Sequence, residues 1–135
     1  MMLSDSLDIA SAGLAAQEER MRVVAENIAN ADSTGRTPGE LPYRRKMLVF
    51  GDVLNKELGI NTVQVVKRTY DMSDFNRKFD PAHPAADAQG YVLKPNVDPI
   101  LEMVDLREAR RAYEANLSVV QTTRAMEQRT NSIIS

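Results

Sequence analysis

The stretch SDSLDIASAGLAAQEERMRVVAENIANA, from Ser4 to Ala31, decides how the rest of the chain is read. Leu7, Leu14, Met21 and Ile28 recur every seven residues, and Ala10, Val24 and Ala31 each follow a member of that series by three. Apolar residues at these two spacings line one stripe of an α-helix and predict a seam that packs on another helix. Gln17 is the polar intruder in that seam, and Ser4 with Asp5 supplies an expected cap and a favourable charge at the helix N-terminus. At about 1.5 Å per residue the helix would be roughly 40 Å long, more than a small domain needs. Asp32-Ser33-Thr34-Gly35 then reads as its stop, with Gly35 able to take a positive φ.

A second helix is expected at the other end. In Asn96-Val97-Asp98-Pro99, Asp98 suits the N-cap and Pro99 the first helical position, where its missing N–H costs nothing. Nothing from there to Ser135 breaks a helix. The expected seam is Ala112, Val119, Met126 and Ile133, joined on the adjoining face by Leu106, Tyr113, Leu117 and Val120. Asn116, Thr123 and Thr130 sit where a strong coiled coil would place Leu, which weakens the seam and sets its register.

Between the helices the chain changes character. Gly39, Pro42, Pro81, Pro84, Gly90 and Pro95 punctuate short apolar runs, and Arg44 to Phe50, Val63 to Tyr70 and Tyr91 to Leu93 read as short strands. The expected fold is mainly α: two long terminal helices pairing as an antiparallel coiled coil, with a small irregular β-containing middle. The expected boundaries are 1–35 for the N-terminal helix and its motif, 36–97 for the middle, and 98–135 for the C-terminal helix.

Composition narrows the function. A chain of 135 residues holds one core at most. A net charge of −2 offers no basic field for nucleic acid. With 5% aromatic residues and no Trp or Cys, the apolar surface rests on small and flexible side chains, and disulfides and thiolate chemistry are excluded. Asp5 and Asp8 precede the first basic residue, Arg20, so no cleavable secretory signal is expected, and no stretch reaches the roughly 20 apolar residues of a membrane span. The first helical segment and its stop set Arg20 and Arg22 against Asp5, Asp8, Glu18, Glu19, Glu26 and Asp32, whereas the middle is basic, a charge division that suits head-to-tail packing of subunits.

No catalytic, cofactor or metal site is expected. His83, the only His, stands near Asp80 and Asp87 but between Pro81 and Pro84, and reads as a turn residue whose ring hydrogen-bonds the backbone. The Gly residues form neither a phosphate loop nor a dinucleotide fingerprint, and no Ser lies in a nucleophile elbow. A cell-wall hydrolase would need a paired-carboxylate cleft that the chain does not offer.

One resemblance is specific. Val24-Ala25-Glu26-Asn27-Ile28-Ala29-Asn30-Ala31-Asp32-Ser33-Thr34-Gly35 resembles the asparagine-containing motif near the N-terminus of bacterial flagellar axial proteins, the rod, hook and hook-associated subunits. The run from Asp80 to Val92, then Pro95-Asn96-Val97-Asp98-Pro99, Glu102-Met103-Val104-Asp105 and Arg111-Ala112-Tyr113-Glu114-Ala115-Asn116, is similar to proximal-rod members of that family. Asp32 and Ser33 stand where relatives more often carry Asn and a small or Pro residue, which leaves the turn chemistry intact. The resemblance implies a structural subunit without enzymatic activity, exported by the flagellar type III apparatus into the periplasm-spanning rod of the basal body. There it would self-associate and meet other rod proteins and the membrane-ring/rod adapter, forming the torque-transmitting shaft and its channel. No nucleic acid or small-molecule substrate is implied. The expected assembly interface is Leu7, Leu14, Met21, Ile28, Asn27, Asn30, Ala112, Tyr113, Asn116, Val119, Met126 and Ile133. Asn27 and Asn30 would bridge backbone groups of an adjacent chain or of the following turn. The alternatives are another axial subunit, or a soluble helical export adapter or chaperone.

Overall fold

The computed structural model describes residues 2–134, so the N-terminal residue and the expected helix end at Ser135 lie outside the described residues. The order of elements is α1 (Met2–Ala29), β1 (Lys46–Asn55), β2 (Ile60–Tyr70), β3 (Asn76–Phe79), β4 (Tyr91–Lys94) and α2 (Pro99–Ile134). The terminal helices pack closely against each other and flank a small antiparallel β region. Within this order the chain forms two compact units. One comprises the chain up to Met21, Leu48–Lys67 and the chain from Arg107 onward; the other comprises Arg22–Met47 and Arg68–Leu106.

In the first unit the helices run antiparallel, since Arg20 pairs with Glu108 while Gly13 lies against Asn116. A Cβ on Gly13 would stand 2.8 Å from Nδ2 of Asn116, so the Asn116 amide occupies the space that Gly13 leaves open. Ala10 and Ala16 are buried beside that contact, and Ala109, Val120 and Thr123 are buried on α2. Tyr113, Asn116 and Glu127 are half-buried. Of the covered positions of α2 in this unit, 109, 113, 116, 120, 123 and 127 alternate in steps of four and three, the spacing of a coiled-coil seam, with the half-buried Ala112 and Leu117 on its flanks.

This seam keeps part of the expected one and leaves part of it outside. Ala112 is half-buried, but Val119, Met126 and Ile133 are exposed, and Ile133 keeps 85% of its accessible surface. The covered side chains are the expected polar Asn116 and Thr123 of the seam and Tyr113 and Val120 of its adjoining face. Close approach on Gly13, Ala10 and Ala16 favours small and hydrogen-bonding partners over the larger apolar residues that periodicity alone selects.

The strands in this unit form the tip of a hairpin. Its turn is held by the Asn55 carbonyl, which accepts from Gly59 N–H at 2.7 Å, and by the Asn55 side chain, which accepts from Glu57 and Leu58 N–H at 3.1 and 3.3 Å. Gly59 takes φ +70°, a conformation that glycine adopts without steric cost.

In the second unit α1 stops at Ala29, and the turn after it is tied by Ala31 N–H to Ile28 O and by Ser33 N–H and Oγ to Asn30 O. Gly35 is not among the positive-φ glycines. It is needed for space instead, because a Cβ there would meet the Glu40 carbonyl oxygen at 2.5 Å. α1 begins before Ser4, so Ser4 lies inside the first turn and not at the N-cap, while Asp5 places its negative charge in that turn as expected. Strand β3, not foreseen, pairs antiparallel with β4 from Asn76↔Lys94 to Phe79↔Tyr91. Its residues Asn76, Arg77, Lys78 and Phe79 are all exposed, so it shows no alternation of apolar and polar positions. Val92 and Val97 form the apolar core here with Val24 and Ala31. At the start of α2, Oδ1 of Asp98 accepts Ile100 N–H at 3.0 Å with Pro99 in the first helical position, as the sequence implied.

Candidate assembly surface

The second unit is held by polar contacts as much as by apolar ones. Asn27, 1% exposed, uses its whole amide within the chain. Nδ2 donates to Lys46 O at 3.0 Å and to Oε2 of Glu102 at 3.5 Å, while Oδ1 accepts Lys46 N–H at 3.0 Å and the Tyr43 hydroxyl at 2.7 Å. With two donors and two acceptor sites occupied, this amide serves the fold of its own chain. Asn30 donates to Glu26 O at 2.9 Å and so closes the end of α1.

Around Asn27 the charges are arranged in pairs. Arg45 Nε bonds Oε1 of the buried Glu102, and its Nη1 lies 3.4 Å from Oδ2 of Asp71. Arg45 N–H donates to Oδ1 of Asn96 at 2.8 Å, and Asn96 donates back to Asp71 O at 2.9 Å. Burial works against the Arg45 charge, but the hydrogen bond and charge of Glu102, with Asp71, outweigh it and raise its pKa. The backbone N–H and hydroxyl of Ser73 hold Asp71 below the ordinary carboxylate value, and burial pushes the Tyr43 phenol up. Lys46 is raised by its 2.9 Å hydrogen bond to Glu26. Among the described residues no buried side-chain nitrogen or oxygen lacks a hydrogen-bond partner.

His83 is a turn residue. Its Nδ1 accepts Ala85 N–H at 2.9 Å, and its Nε2 lies 3.1 Å from Oγ1 of Thr34, joining the turn after α1 to the loop between β3 and β4. Asp87 accepts Tyr91 and Gln89 N–H at 2.9 Å each; these bonds, that from Tyr91 foremost, lower its pKa.

Large apolar side chains lie outside these networks. Ile100, Leu101, Met103 and Val104 are exposed on the first turns of α2, and Val119, Met126 and Ile133 are exposed further along it in the other unit. Of the other expected interface residues, Leu7, Leu14, Met21, Ile28, Ala112, Tyr113 and Asn116 are half-buried. Sequence reasoning missed Glu102, Arg45 and Tyr43. The signal for Glu102 was available: one carboxylate flanked on both sides by apolar pairs on a helix is out of phase with its neighbours.

A chain with small-residue, polar-keyed helix pairing and large apolar residues left outside has the character of a subunit rather than of a self-contained domain. Residues 7–36 match the family described as "Flagella basal body rod protein", and residues 88–133 match "Flagellar basal body rod FlgEFG protein C-terminal". The flagellar basal-body rod protein FlgC of Agrobacterium fabrum is 51% identical over 122 residues, covering 90% of this chain and 88% of that protein. The FlgC proteins of Bacillus subtilis and Salmonella typhimurium are 45% and 40% identical, covering 90% and 93% of this chain and 91% and 93% of their own lengths. The class is therefore the structural rod proteins of the flagellar basal body, and the chain acts as a rod subunit and not as an enzyme. Within that class it belongs to the FlgC family.

Proposed function

We propose that this chain polymerises into the proximal rod through the outward faces of its terminal helices. Residues 1–35 and 98–135 would form the axial part, and 36–97 would touch lateral neighbours. The observation that carries this reading is the exposure of Val119, Met126 and Ile133 at seven-residue spacing on α2. Each large apolar side chain that a neighbour covers is worth about 1.5 to 3 kcal/mol, so a few per subunit suffice to lock a shaft that transmits torque. The half-buried flank of Leu7, Leu14 and Met21 would add contact area on α1. The partners are further copies, other rod proteins and the membrane-ring/rod adapter in the periplasm, reached by type III export.

The test is to delete the gene, or truncate the chain after Thr123, and image purified basal bodies. Membrane rings without rods support the reading. A complete rod in the truncated strain overturns packing through the end of α2.

A further inference from the structure

The first turns of α2 are inside out. At about 100° per residue, Ile100, Leu101, Met103 and Val104 share one arc of the helix, and Glu102 lies opposite the centre of that arc. Hydrophobicity alone would turn the arc inward and the carboxylate to water. In this structure Glu102 is 2% exposed, whereas Ile100 is 72% and Met103 57% exposed.

The groups that hold the helix this way are few. Arg45 reaches Glu102 from the strand side and is fixed by Asp71 and Asn96; Asn27 reaches it from α1. All of them belong to the same compact unit as the arc. A buried ion pair stabilises a fold little compared with apolar side chains of the same volume, but it tolerates only one orientation of its partners. Rolling α2 to bury the apolar arc would strip Glu102 of Arg45 and Asn27 and leave the guanidinium half-buried without its main partner.

We propose that Glu102 and Arg45 form an orientation key that turns Ile100, Leu101, Met103 and Val104 outward as a docking face for a neighbouring rod subunit. The key is a pair of positioning residues, and the proposal rests on the reading that the chain assembles through its outer helix faces. The occupant is an apolar helix face of that neighbour. Rod proteins assemble with other rod components, and the arc of four large side chains has no charge within it to select a charged partner. Burying Glu102 also removes the one carboxylate from the sequence Ile100–Val104 that would oppose apolar contact.

The experiment separates orientation from stability. In the purified full-length chain carrying Glu102→Leu with Arg45→Met, the urea midpoint should stay at or above that of the unsubstituted chain. Oxidation of Met103 by dilute peroxide, read by mass spectrometry against the exposed Met72, should slow by about threefold or more as the arc turns inward. Cells carrying the pair should lack rods. Glu102→Gln keeps the shape of the key and an acceptor for Arg45 but gives up the acceptor for the Asn27 amide, and should keep both Met103 oxidation and rods. Wild-type Met103 oxidation and normal rods in the double variant would overturn the proposal. If the double variant does not fold, Glu102→Gln decides: a folded chain with unchanged Met103 oxidation but no rods overturns orientation as the cause. Ile100→Glu with Val104→Glu, made with the key intact, tests the docking face separately. Rods in that variant would overturn the occupant while leaving the oxidation result to judge the key.

Discussion

Asn27 clasps Lys46 from both sides, donating to its carbonyl and accepting from its N–H at 3.0 Å each, and so imitates one rung of a β-ladder with a side chain. Asn27→Ala would leave both backbone groups and the Tyr43 hydroxyl without partners in a buried place. The expected loss is about 3 kcal/mol of unfolding free energy, measured by urea titration. Asn27→Asp should cost at least as much, because it replaces two donors with charge beside Glu102. A loss below about 0.5 kcal/mol, the scale of an ordinary surface change, would contradict this role.

Gly13→Ala should behave against the usual rule. An exposed helical Gly replaced by Ala gains roughly 0.5 to 1 kcal/mol, but here the new Cβ meets the amide of Asn116 at 2.8 Å. The single substitution should therefore show none of that gain, because the Asn116 amide must move, and pairing it with Asn116→Ala should restore it. A double-mutant cycle with no coupling would show that the helices do not approach through these two residues.

The stability of the chain should fall at both ends of the pH scale for identifiable reasons. Asp71 and Asp87 lie below their ordinary 3.8, so their contribution is present above that pH and disappears as pH falls through their lowered folded values. Tyr43 is raised above its ordinary 10.0, so its contribution holds below that pH and is lost as pH rises through the folded value. Unfolding free energies measured across pH should show a shallower acid limb in Asp71→Asn with Asp87→Asn, and a shallower alkaline limb in Tyr43→Phe. Tyr43→Phe should also cost about 1 kcal/mol at neutral pH through its lost hydrogen bond to Asn27.

Val119→Glu with Met126→Glu should separate assembly from folding. Both side chains are exposed, so the unfolding midpoint should move by no more than about 0.5 kcal/mol per site. Basal bodies from cells carrying the pair should lack rods. Normal rods would show that this face of α2 remains in solvent after assembly.

Much of this was legible in the sequence because it depends on neighbours along the chain. The seven-residue period from Leu7 to Ile28 announced α1, Asp98 and Pro99 announced the start of α2, and His83 between two prolines announced a turn residue. The motifs around Asn27 and from Asp80 to Val92 carried the family. What the period could not determine was phase. Two adjacent stripes on α2 have the same spacing, and Tyr113, Asn116, Val120 and Thr123 are covered where Val119 and Met126 are exposed, with the Asn116 amide seated in the space over Gly13. Nor could it reveal that Asn27 is satisfied by Lys46, Tyr43 and Glu102, or that Arg45 draws Glu102 inward past four apolar residues. Those pairings join residues 16 to 75 positions apart. Only tertiary structure settles them, since burying a charge or an amide is favourable only where the matching group has already been brought to the same place.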